Sequence, residues 1–466
     1  MTSSWKTRLG GLLLIFSSMA ASGHGGHAGP GEGTPPKQPY FKGIRGDYRA
    51  DEARWWKGNT HTHTWWSDGD SPPETAAAWY REHGYQFLVL SDHNRMQAGA
   101  IARGNLALHY TQWYPIEDEA RAAALAIYRE HFGPDWVEER VVDGVTQVRL
   151  KALDEFRGLF EAPGEFTFVP GEEITDRFES HPIHVNAVNI QDPIAPRGGE
   201  TPTAIIQNTL NAVLDHGLSS GREVLAHLNH PNFRYALTVE DLVPLRYRTG
   251  EGFFELYNGH HGVENYGDGE HPGIERMWDI LLAKRIAEGD GTIPYGIAND
   301  DAHRFTTWRV GKDSNPGRGW VMVRARRLTP DSIVAAMKRG DFYASTGVTL
   351  GRLERGGDTL ALAVDPEPGV DYTIEFIGTR RGAELGAHPR EPAPDGRASQ
   401  RYDDAIGVVL KTVRGTEARY VARGDELYVR ARVTSTQPHP NPFRAGDVTM
   451  AWTQPLVVAA PQGRTP

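Results

Sequence analysis

Short apolar runs alternate with longer amphipathic stretches along most of the chain from Trp56 onward. This alternation is typical of repeated β-strand and α-helix units. The apolar runs predict seven strands, at 86–90, 166–169, 184–190, 224–228, 253–257, 293–298 and 320–324. A series of such units favours closure into a (β/α) barrel, which we expect to occupy residues 51–346.

Four helices are predicted between these strands, at 73–83, 203–215, 274–288 and 330–338. Three of them have the usual N-terminal signals, because a hydroxyl residue precedes proline in Ser71-Pro72-Pro73, Thr201-Pro202 and Thr329-Pro330. The segment from about 96 to 162 interrupts the alternation and contains a charged helical pattern at 116–129. We interpret this segment as an insertion that caps or borders the functional site.

The pattern changes after Gly347 to short alternating strands separated by Gly, Pro and Asp. The strands are predicted at 360–364, 372–377, 408–412, 427–433 and 456–459. This spacing is typical of a small β-sandwich domain, which we expect at 347–466. Its histidines His388 and His439 lie among prolines, and we expect both at the surface.

The first 23 residues have the outline of a secretory signal, with Lys6 and Arg8 followed by an apolar run at 12–16 and small residues at 17–23. An uncleaved membrane anchor is the alternative. Residues 24–50 are rich in Gly, His and Pro, which predicts a flexible leader. No later segment has the roughly 20 apolar residues of a spanning helix. We therefore expect an exported protein, periplasmic or secreted, that is not held in a membrane after cleavage.

The composition narrows the range of partners. The 466-residue chain has a formal net charge of -10, so it offers no broad basic surface and nucleic acid is not expected as its main partner. It contains no cysteine, which excludes disulfides and thiolate metal ligands. A compact small-molecule substrate fits this chain better, and the sequence is silent on oligomeric state.

The strongest chemical signal is a pair of motifs with two-residue spacing. His61-Thr62-His63 is followed by Asp68, and Asp301-Ala302-His303 comes directly after the predicted strand 293–298. Side chains two apart in an extended segment share a face, so each pair can approach one ion. Asp68 lies in Ser67-Asp68-Gly69, which is also ordinary turn chemistry.

Other candidate ligands lie near the ends of predicted strands, where barrel enzymes concentrate their chemistry. They are Asp92 and His93 after 86–90, Glu172 and Glu173 after 166–169, His230 after 224–228, and His184 at the start of its strand. Four alternatives stay open: Glu172 for Glu173, Asp300 for Asp301, His227 for His230 and His181 for His184. Imidazole and carboxylate ligands without thiolates suit Zn, Mn or Fe, and the candidates suffice for two or three divalent ions.

In this order, the motifs resemble those of the polymerase and histidinol phosphatase (PHP) superfamily of metallohydrolases. The matching segments are His61-x-His63 with Asp68, Ser91-Asp92-His93, Gly171-Glu172-Glu173, His184, His230-Pro231, Asp301-x-His303 and the segment 339–347. The resemblance implies a distorted seven-stranded barrel. It also implies nine metal ligands, namely His61, His63, Asp68, His93, Glu173, His184, His230, Asp301 and His303. Glu173 would be shared between metals, and all of these except His184 and His230 are expected to act directly in catalysis.

In such a centre, a metal-bridging hydroxide would attack phosphorus in line. Arg95, Arg234 and Arg304 follow ligand motifs closely and are predicted to bind phosphate, because a guanidinium matches its oxygens. His260 and His261 follow another strand and are predicted substrate contacts or a general acid. Asp92 and His227 are expected to orient ligands.

These observations lead to the hypothesis of a metal-dependent phosphoesterase that acts on a small or exposed phosphate ester. A carboxyl- or carbamate-ester hydrolase with the same metal centre is the first alternative. The second is a non-catalytic metal-binding or adhesion protein. The sequence leaves open the exact substrate, the choice between mono- and diester, and the identity and number of metals.

Overall fold

The computed structural model describes residues 52–97, 112–287, 292–389, 397 and 399–460. The predicted signal peptide at 1–23 and the predicted leader at 24–50 lie outside these residues, as does part of the predicted insertion. Within the described ranges, no helix combines the length and the apolar character needed to span a bilayer.

The chain begins with the strand β1 (Arg54–Asn59), the helix α1 (Pro73–Glu82) and the strand β2 (Phe87–Leu88). The predicted insertion contains β3 (Trp113–Ile116), α2 (Glu119–Phe132), β4 (Glu139–Val142), β5 (Val145–Arg149), the short helix α3 (Leu153–Phe156) and a 3₁₀ turn, Arg157–Leu159. Next come β6 (Thr167–Phe168), β7 (Gly171–Phe178), β8 (His181–Val188), α4 (Pro202–Ser220), β9 (Leu225–Leu228), α5 (Val239–Leu242) and β10 (Glu251–Asn258). They are followed by α6 (Ile274–Ala287), β11 (Ile293–Asn299), β12 (Trp320–Ala325), α7 (Pro330–Lys338) and β13 (Phe342–Ser345).

Ten further strands complete the described chain. They are β14 (Leu350–Gly356), β15 (Thr359–Val364), β16 (Tyr372–Arg380), β17 (Ala387–His388), β18 (Arg401–Tyr402), β19 (Val408–Arg414), β20 (Glu417–Val421), β21 (Glu426–Pro438), β22 (Val448–Thr453) and β23 (Leu456–Val457). Each of the seven predicted barrel strands overlaps an observed strand. The strands that were not predicted are β1, β7 and β13 in the barrel region, β3, β4 and β5 in the insertion, and β14, β17, β18, β20 and β22 after Gly347.

Side-chain caps explain where three of the helices begin, and at α2 the Asp118 carboxylate accepts a hydrogen bond from the Arg121 amide. The Thr201 hydroxyl accepts a hydrogen bond from the Ala204 amide at the start of α4, and Thr329 caps α7 in the same way. Ser71 does not cap α1: the N-cap position is Pro72, and the Ser71 hydroxyl donates to Asp70 instead.

The strands form a mixed α/β architecture in which two sheets carry the candidate site. In one sheet, β1 lies parallel to β2 and antiparallel to β12, and β6 follows β2. The second sheet has the order β11-β10-β9-β8-β7, with a β7–β8 antiparallel pair at one end. Isolated bridges between Thr62 and Ala302 and between His93 and Glu173 join the two sheets. A seven-stranded (β/α) barrel is not confirmed, because the ladder is interrupted and the helices are few.

The C-terminal strands extend the first sheet. β22 pairs with β13, and the order continues through β21 and β16 to β19. A three-stranded sheet, β14-β15-β20, shares a hydrophobic core with these strands, for example through Leu362 and Phe376. The described residues all belong to one compact unit, and the domain boundary at 346/347 stays a prediction. The expectation for His439 was wrong, because its side chain is buried against Arg318.

Candidate metal centre

The two motifs with two-residue spacing lie side by side as extensions of β1 and β11. The Asp301 amide donates to the His61 carbonyl at 3.0 Å, and the His63 amide donates to the Ala302 carbonyl at 2.9 Å. This parallel pairing repeats the alternation of a sheet, so His61, His63 and Asp301 can present their side chains on one face. The shared face explains why ligands separated by about 240 positions meet.

A second local pairing brings His93 to Glu173. The Asn94 amide donates to the Glu173 carbonyl at 2.8 Å, and the Glu173 amide donates to the Asp92 carbonyl at 3.2 Å. Thr175 lies opposite His184 in the β7–β8 pair, which places His184 on the same side of the hairpin as Glu173. The carboxylate of Glu173 is thus positioned by its neighbours on both sides.

Glu173 is the centre of the cluster and is fully buried. Five histidine nitrogens surround its carboxylate: His93 Nδ1 at 2.7 Å, His184 Nδ1 at 3.0 Å, His61 Nε2 at 3.3 Å, and His63 Nε2 and His230 Nε2 at 3.4 Å. Asp301 is a second buried carboxylate, whose Oδ1 lies 3.3 Å from His61 Nε2 and 3.2 Å from His63 Nε2. Both carboxylates therefore bridge several imidazoles.

The side chains form four overlapping groups whose ligand atoms lie within 4.8 Å of one another. The groups are His63/Asp68/His93/His303, His61/His63/Asp301, His61/Glu173/His230 and His93/Glu173/His184. Together they contain all nine ligands implied by the motif resemblance. Asp68 differs from the buried members of the cluster, because its side chain is 58% exposed.

Unpartnered polar atoms test whether this cluster fits a metal. His61 Nε2, His63 Nε2, His184 Nδ1 and Glu173 Oε2 are buried and make no hydrogen bond of ordinary geometry, and their neighbours at 2.7–3.4 Å are other ligand atoms of the cluster. A buried polar atom without a hydrogen-bond partner destabilises the fold by about 1–3 kcal/mol. Four such atoms in one cluster therefore destabilise the fold strongly unless a ligand satisfies them. Divalent cations accept this combination of imidazole and carboxylate donors. The residues present therefore fit divalent metal ions.

Metal binding requires neutral imidazoles and ionised carboxylates. In the metal-free cluster, burial acts to lower the pKa of His61, His93 and His303, but nearby carboxylates outweigh it and raise the pKa of all three, so these imidazoles release protons when metal binds. Burial would raise the pKa of Glu173, but the charges of His184, His93 and His61 lower it well below its usual value. The pKa of Asp301 is lowered in the same way, mainly by His61, against the effect of burial. Burial, assisted by His303 and His93, lowers the pKa of His63 to about 4.

A buried carboxylate that the sequence analysis missed contacts two of the ligand residues on the side away from the other ligands. Glu255 accepts a hydrogen bond from the His230 amide at 2.8 Å and lies 2.7 Å from His61 Nδ1. Asn258 donates to Glu255 and also to Asp301 Oδ2. The signal was present in the sequence, since Glu255 is a charged residue in the middle of the apolar run 253–257. A buried charge in a strand needs a partner.

Asn229 is a further residue that the sequence analysis missed. Its side-chain amide donates to Glu173 Oε1 at 2.7 Å and to Asn186 Oδ1 at 2.8 Å. Asp92 supports the loop that carries Asp68, since its carboxylate accepts hydrogen bonds from the Thr64 amide and the Ser67 hydroxyl. These contacts hold the orientation of ligands rather than supplying ligand atoms.

Two ligands have backbone conformations that L-residues rarely adopt. The φ angles of His230 and Asp301 are 23° and 49°. Non-glycine residues with positive φ cost free energy and persist where surrounding contacts hold them, which is common at functional sites. Here the contacts are the hydrogen bonds from the His230 amide to Glu255 and from the Asp301 amide to His61.

The four ligand groups include none of the four alternatives, which make other contacts. Glu172 accepts a hydrogen bond from the Ile194 amide, and Asp300 accepts hydrogen bonds from the Arg318 and Gly319 amides. His227 contacts the Thr60 hydroxyl, and His181 pairs with Phe178 at the start of β8. The cluster instead contains Glu173, Asp301, His230 and His184.

The predicted substrate-binding residues lie around this centre with different degrees of exposure. Arg95, Arg234 and Arg304 are exposed. Arg95 donates to Gln112, and the Arg234 guanidinium lies 5.3 Å from the centre of the Phe233 ring. Their role in substrate binding stays a prediction.

His260 lies closer to the ligands than His261. The His260 ring centre is 5.2 Å from that of His303, and its Nδ1 accepts a hydrogen bond from the Gly262 amide. Burial lowers the pKa of His260 well below its usual value, although Asp301 acts to raise it. His260 is therefore neutral with its proton on Nε2. His261 is exposed, and its Nδ1 lies 3.0 Å from the Ser314 hydroxyl.

The comparisons with known proteins find similar solved structures only. No family model and no curated protein matches the chain. The chain is similar to a solved two-domain protein from Bacteroides vulgatus that contains a predicted PHP-like metal-dependent phosphoesterase. The identity is 12%, the match covers 90% of this chain and 99% of the other, and the TM-score is 0.36.

A second solved structure is a protein from Bifidobacterium adolescentis that is predicted to be a metal-dependent phosphoesterase. The identity is 15%, the match covers 54% of this chain and 90% of the other, and the TM-score is 0.25. Both TM-scores lie below 0.5. Likenesses at this level do not assign a function to this chain.

Proposed function

We propose that the chain is a metal-dependent phosphoesterase of the PHP type, which hydrolyses a small or exposed phosphate ester. The observation that supports this proposal most strongly is the group of four buried, unpartnered ligand atoms inside a cluster of nine imidazole and carboxylate side chains. Stability alone does not account for such a cluster, because each unsatisfied atom costs free energy.

Two or three divalent ions, such as Zn, Mn or Fe, would be held by the nine ligands, with Glu173 shared between ions. When bound, these ions would supply a hydroxide nucleophile near neutral pH and Lewis-acid stabilisation of the phosphoryl oxygens. Glu173 and Asp301 contribute fixed negative charge, and His63 contributes a neutral nitrogen, whereas His61, His93 and His303, whose pKa values are raised by nearby carboxylates, would release protons on binding metal. Glu255 and Asn229 keep His61 and Glu173 in their orientations.

We assign substrate binding to residues beside the cluster. His260 carries its proton on Nε2 and is neutral, so we assign it as a hydrogen-bond donor to an ester oxygen rather than as a general acid. Arg304 directly follows the ligand His303, and Arg234 lies four positions after the ligand His230. Both side chains are exposed, which leaves their guanidinium groups accessible to a phosphate. A phosphate group carries more negative charge than a carboxyl ester, so this arrangement favours a phosphate ester.

Three further parts of the proposal come from the sequence. They are export directed by residues 1–23, a distorted seven-stranded barrel of the PHP type at 51–346, and a β-sandwich domain at 347–466. The positively charged, apolar and small-residue segments at the N-terminus support export. The shared core of the C-terminal strands supports a sandwich arrangement.

The proposal is tested by measuring bound metal and ester turnover on one preparation purified without chelator. The substrates are nitrophenyl phosphate, bis(nitrophenyl) phosphate and nitrophenyl acetate. The test variant is His61→Ala with His63→Ala, and the matched control is His131→Ala with His388→Ala, two exposed histidines outside the cluster. We expect two or three ions and phosphate-ester turnover in the wild type and the control, and loss of both in the test variant.

The other outcomes separate the alternatives. Turnover of acetate alone would favour the carboxyl-ester hydrolase, and bound metal without turnover of any ester would favour a metal-binding protein. Absence of bound metal from the wild type, after incubation with Zn²⁺, Mn²⁺ or Fe²⁺, would contradict the proposed centre.

A further inference from the structure

We infer that the C-terminal loop 439–441 is a positioning element of the metal centre and acts on it through the buried side chain of Arg318. This inference rests on the proposed function, because the property it concerns is the affinity of the cluster for metal. It assigns to the C-terminal strands a role in building the site as well as in packing.

Arg318 joins backbone segments that lie far apart in the sequence. Its Nη1 donates to the Gly259 carbonyl at 2.7 Å and to the Asp313 carbonyl at 2.6 Å. Its own amide donates to Asp300 Oδ1 at 2.6 Å. The Arg318 side chain is fully buried, so these carbonyls replace the water that a guanidinium normally binds.

Two of these contacts are with residues that directly precede a residue of the site. Gly259 precedes His260, and Asp300 precedes the ligand Asp301. The packing is tight at this point, because a Cβ atom added to Gly259 would lie 2.7 Å from the Asp300 carbonyl oxygen and 2.9 Å from Arg318 Cβ. A change in the position of Arg318 would therefore shift both segments.

The loop that contains Arg318 also contacts a ligand directly. The amides of His303 and Arg304 donate to the Ser314 carbonyl at 2.8 and 2.9 Å. The Ser314 hydroxyl lies 3.0 Å from His261 Nδ1. The loop 313–319 is thus the support for one side of the metal centre.

The C-terminal loop 439–441 contacts the loop 313–319 through two buried side chains. The Asn441 side chain donates to the Pro316 carbonyl at 3.0 Å and accepts a hydrogen bond from Arg318 Nη2 at 3.4 Å. His439 Nδ1 accepts from the Asn441 amide, which leaves the proton on Nε2 to donate to the Arg318 carbonyl at 3.3 Å. His439 and Asn441 are both buried, so water does not compete for these bonds.

These contacts form one chain of hydrogen bonds from Asn441 through Arg318 and the loop 313–319 to His303 and to Asp300, the residue before Asp301. Residues that orient metal ligands typically change metal affinity 10–100-fold when they are replaced. Asn441 contacts no ligand directly and acts only through Arg318 and the loop 313–319. We therefore expect an effect at the lower end of that range.

The experiment compares Asn441→Ala with a matched control, Tyr420→Phe, in the full chain. Tyr420 is also buried in the C-terminal part, and its hydroxyl donates to Glu426 at 2.6 Å without contacting the loop 313–319. The affinities for Mn²⁺ and Zn²⁺ are measured by competition with a chelator, and the melting temperature of the metal-free protein is measured in parallel. Arg318→Lys is a second variant, which keeps the charge but cannot reproduce the geometry of the guanidinium.

We expect about a 10-fold loss of metal affinity in Asn441→Ala and at least as large a loss in Arg318→Lys. Tyr420→Phe should keep the affinity of the wild type even where its metal-free melting temperature falls as far as that of Asn441→Ala. Wild-type affinity in Asn441→Ala, or an equal loss in Tyr420→Phe, would overturn the positioning role and leave the proposed function intact. Absence of metal binding by the wild type would instead overturn the proposed function, and this inference with it.

Discussion

Glu255 Oε1 lies 2.7 Å from His61 Nδ1, and both side chains are fully buried. This contact fixes the plane of the imidazole, so His61 Nε2 faces Glu173 and Asp301 at 3.3 Å each. A carboxylate behind a histidine ligand sets its tautomer and raises its basicity. The contact with Glu255 therefore gives His61 the orientation and the tautomer that metal binding requires.

The first prediction is that Glu255→Gln weakens metal binding about 10–100-fold. The glutamine keeps the volume of the side chain but loses the charge and one of the acceptor oxygens that bind His61 and the His230 amide. The affinity is measured by titration calorimetry with Zn²⁺ or Mn²⁺. Glu172→Gln is the matched control, since Glu172 is equally buried in the same region but contacts the Ile194 amide. Equal losses in the two variants would contradict a specific role for Glu255.

The sequence predicted more of the ligands than of their supports, for a physical reason. Ligand pairs such as His61 with His63 have local spacing that reveals an extended segment with one functional face. The contact of His61 with Glu255 joins positions 194 apart, and that of Arg318 with Asn441 joins positions 123 apart. No local pattern encodes such distances.

The strand β7 shows a second limit of the sequence analysis. It was missed because Glu172, Glu173, Asp176 and Arg177 interrupt the apolar alternation on which strands are predicted. In the structure, Glu172 and Glu173 are fully buried, and one oxygen of each accepts a hydrogen bond, from the Ile194 amide and from the Asn229 side chain respectively. The same interruption concealed the antiparallel β7–β8 pair, which differs from a regular βα unit.

The second prediction concerns metal removal. Buried ligand atoms that lack partners destabilise the metal-free fold, so bound ions should raise its melting temperature. At a free metal concentration of 100 times Kd, one site adds about 2.7 kcal/mol to the free energy of unfolding. Thermal unfolding with excess chelator and with added Zn²⁺ or Mn²⁺ measures this difference. The His61→Ala, His63→Ala variant should show little response to metal, and an equal response would place the bound ions elsewhere.

The third prediction is that Asp68→Ala loses one metal ion and keeps the others. Asp68 belongs only to the group with His63, His93 and His303, and its Oδ1 lies 3.2 Å from His303 Nε2. The groups around Glu173 and Asp301 do not contain it. Metal content per chain, measured by elemental analysis after gel filtration, should fall by about one ion relative to the wild type. Loss of every ion would show that the groups bind metal only as a unit.

The fourth prediction concerns the pH dependence of stability through Lys57. The Lys57 ammonium is buried, with the ring centres of Tyr85 and Trp320 at 3.9 and 4.0 Å. Burial lowers the pKa of Lys57 to about 7, against a smaller opposite effect of Asp300, whereas in the unfolded chain it is near 10.5. Between these values the unfolded chain binds more protons, so the contribution of Lys57 to stability rises with pH.

Lys57→Met should therefore be stabilising relative to the wild type at pH 6.5, and this advantage should shrink by about 2 kcal/mol towards pH 9. The measurement is the free energy of unfolding by urea for both proteins across that range. Lys411→Met, at an exposed lysine, is the control and should show no such trend. A difference between Lys57→Met and the wild type that does not change with pH would show that the two rings keep the ammonium charged throughout.

The last prediction distinguishes a phosphate ester from a carboxyl ester as the substrate. Arg304 follows the ligand His303, and its amide is held by the Ser314 carbonyl while its side chain is exposed. A hydrogen bond to a charged group contributes about 1.5–3 kcal/mol, so Arg304→Ala should lower kcat/KM for nitrophenyl phosphate roughly 10–100-fold, mainly through KM. Turnover of nitrophenyl acetate, which has no anionic group for the guanidinium to bind, should change little. Arg248→Ala, at an exposed arginine that pairs with Asp215, is the control. An equal loss for both esters would mean that Arg304 supports the loop of His303 rather than binding phosphate.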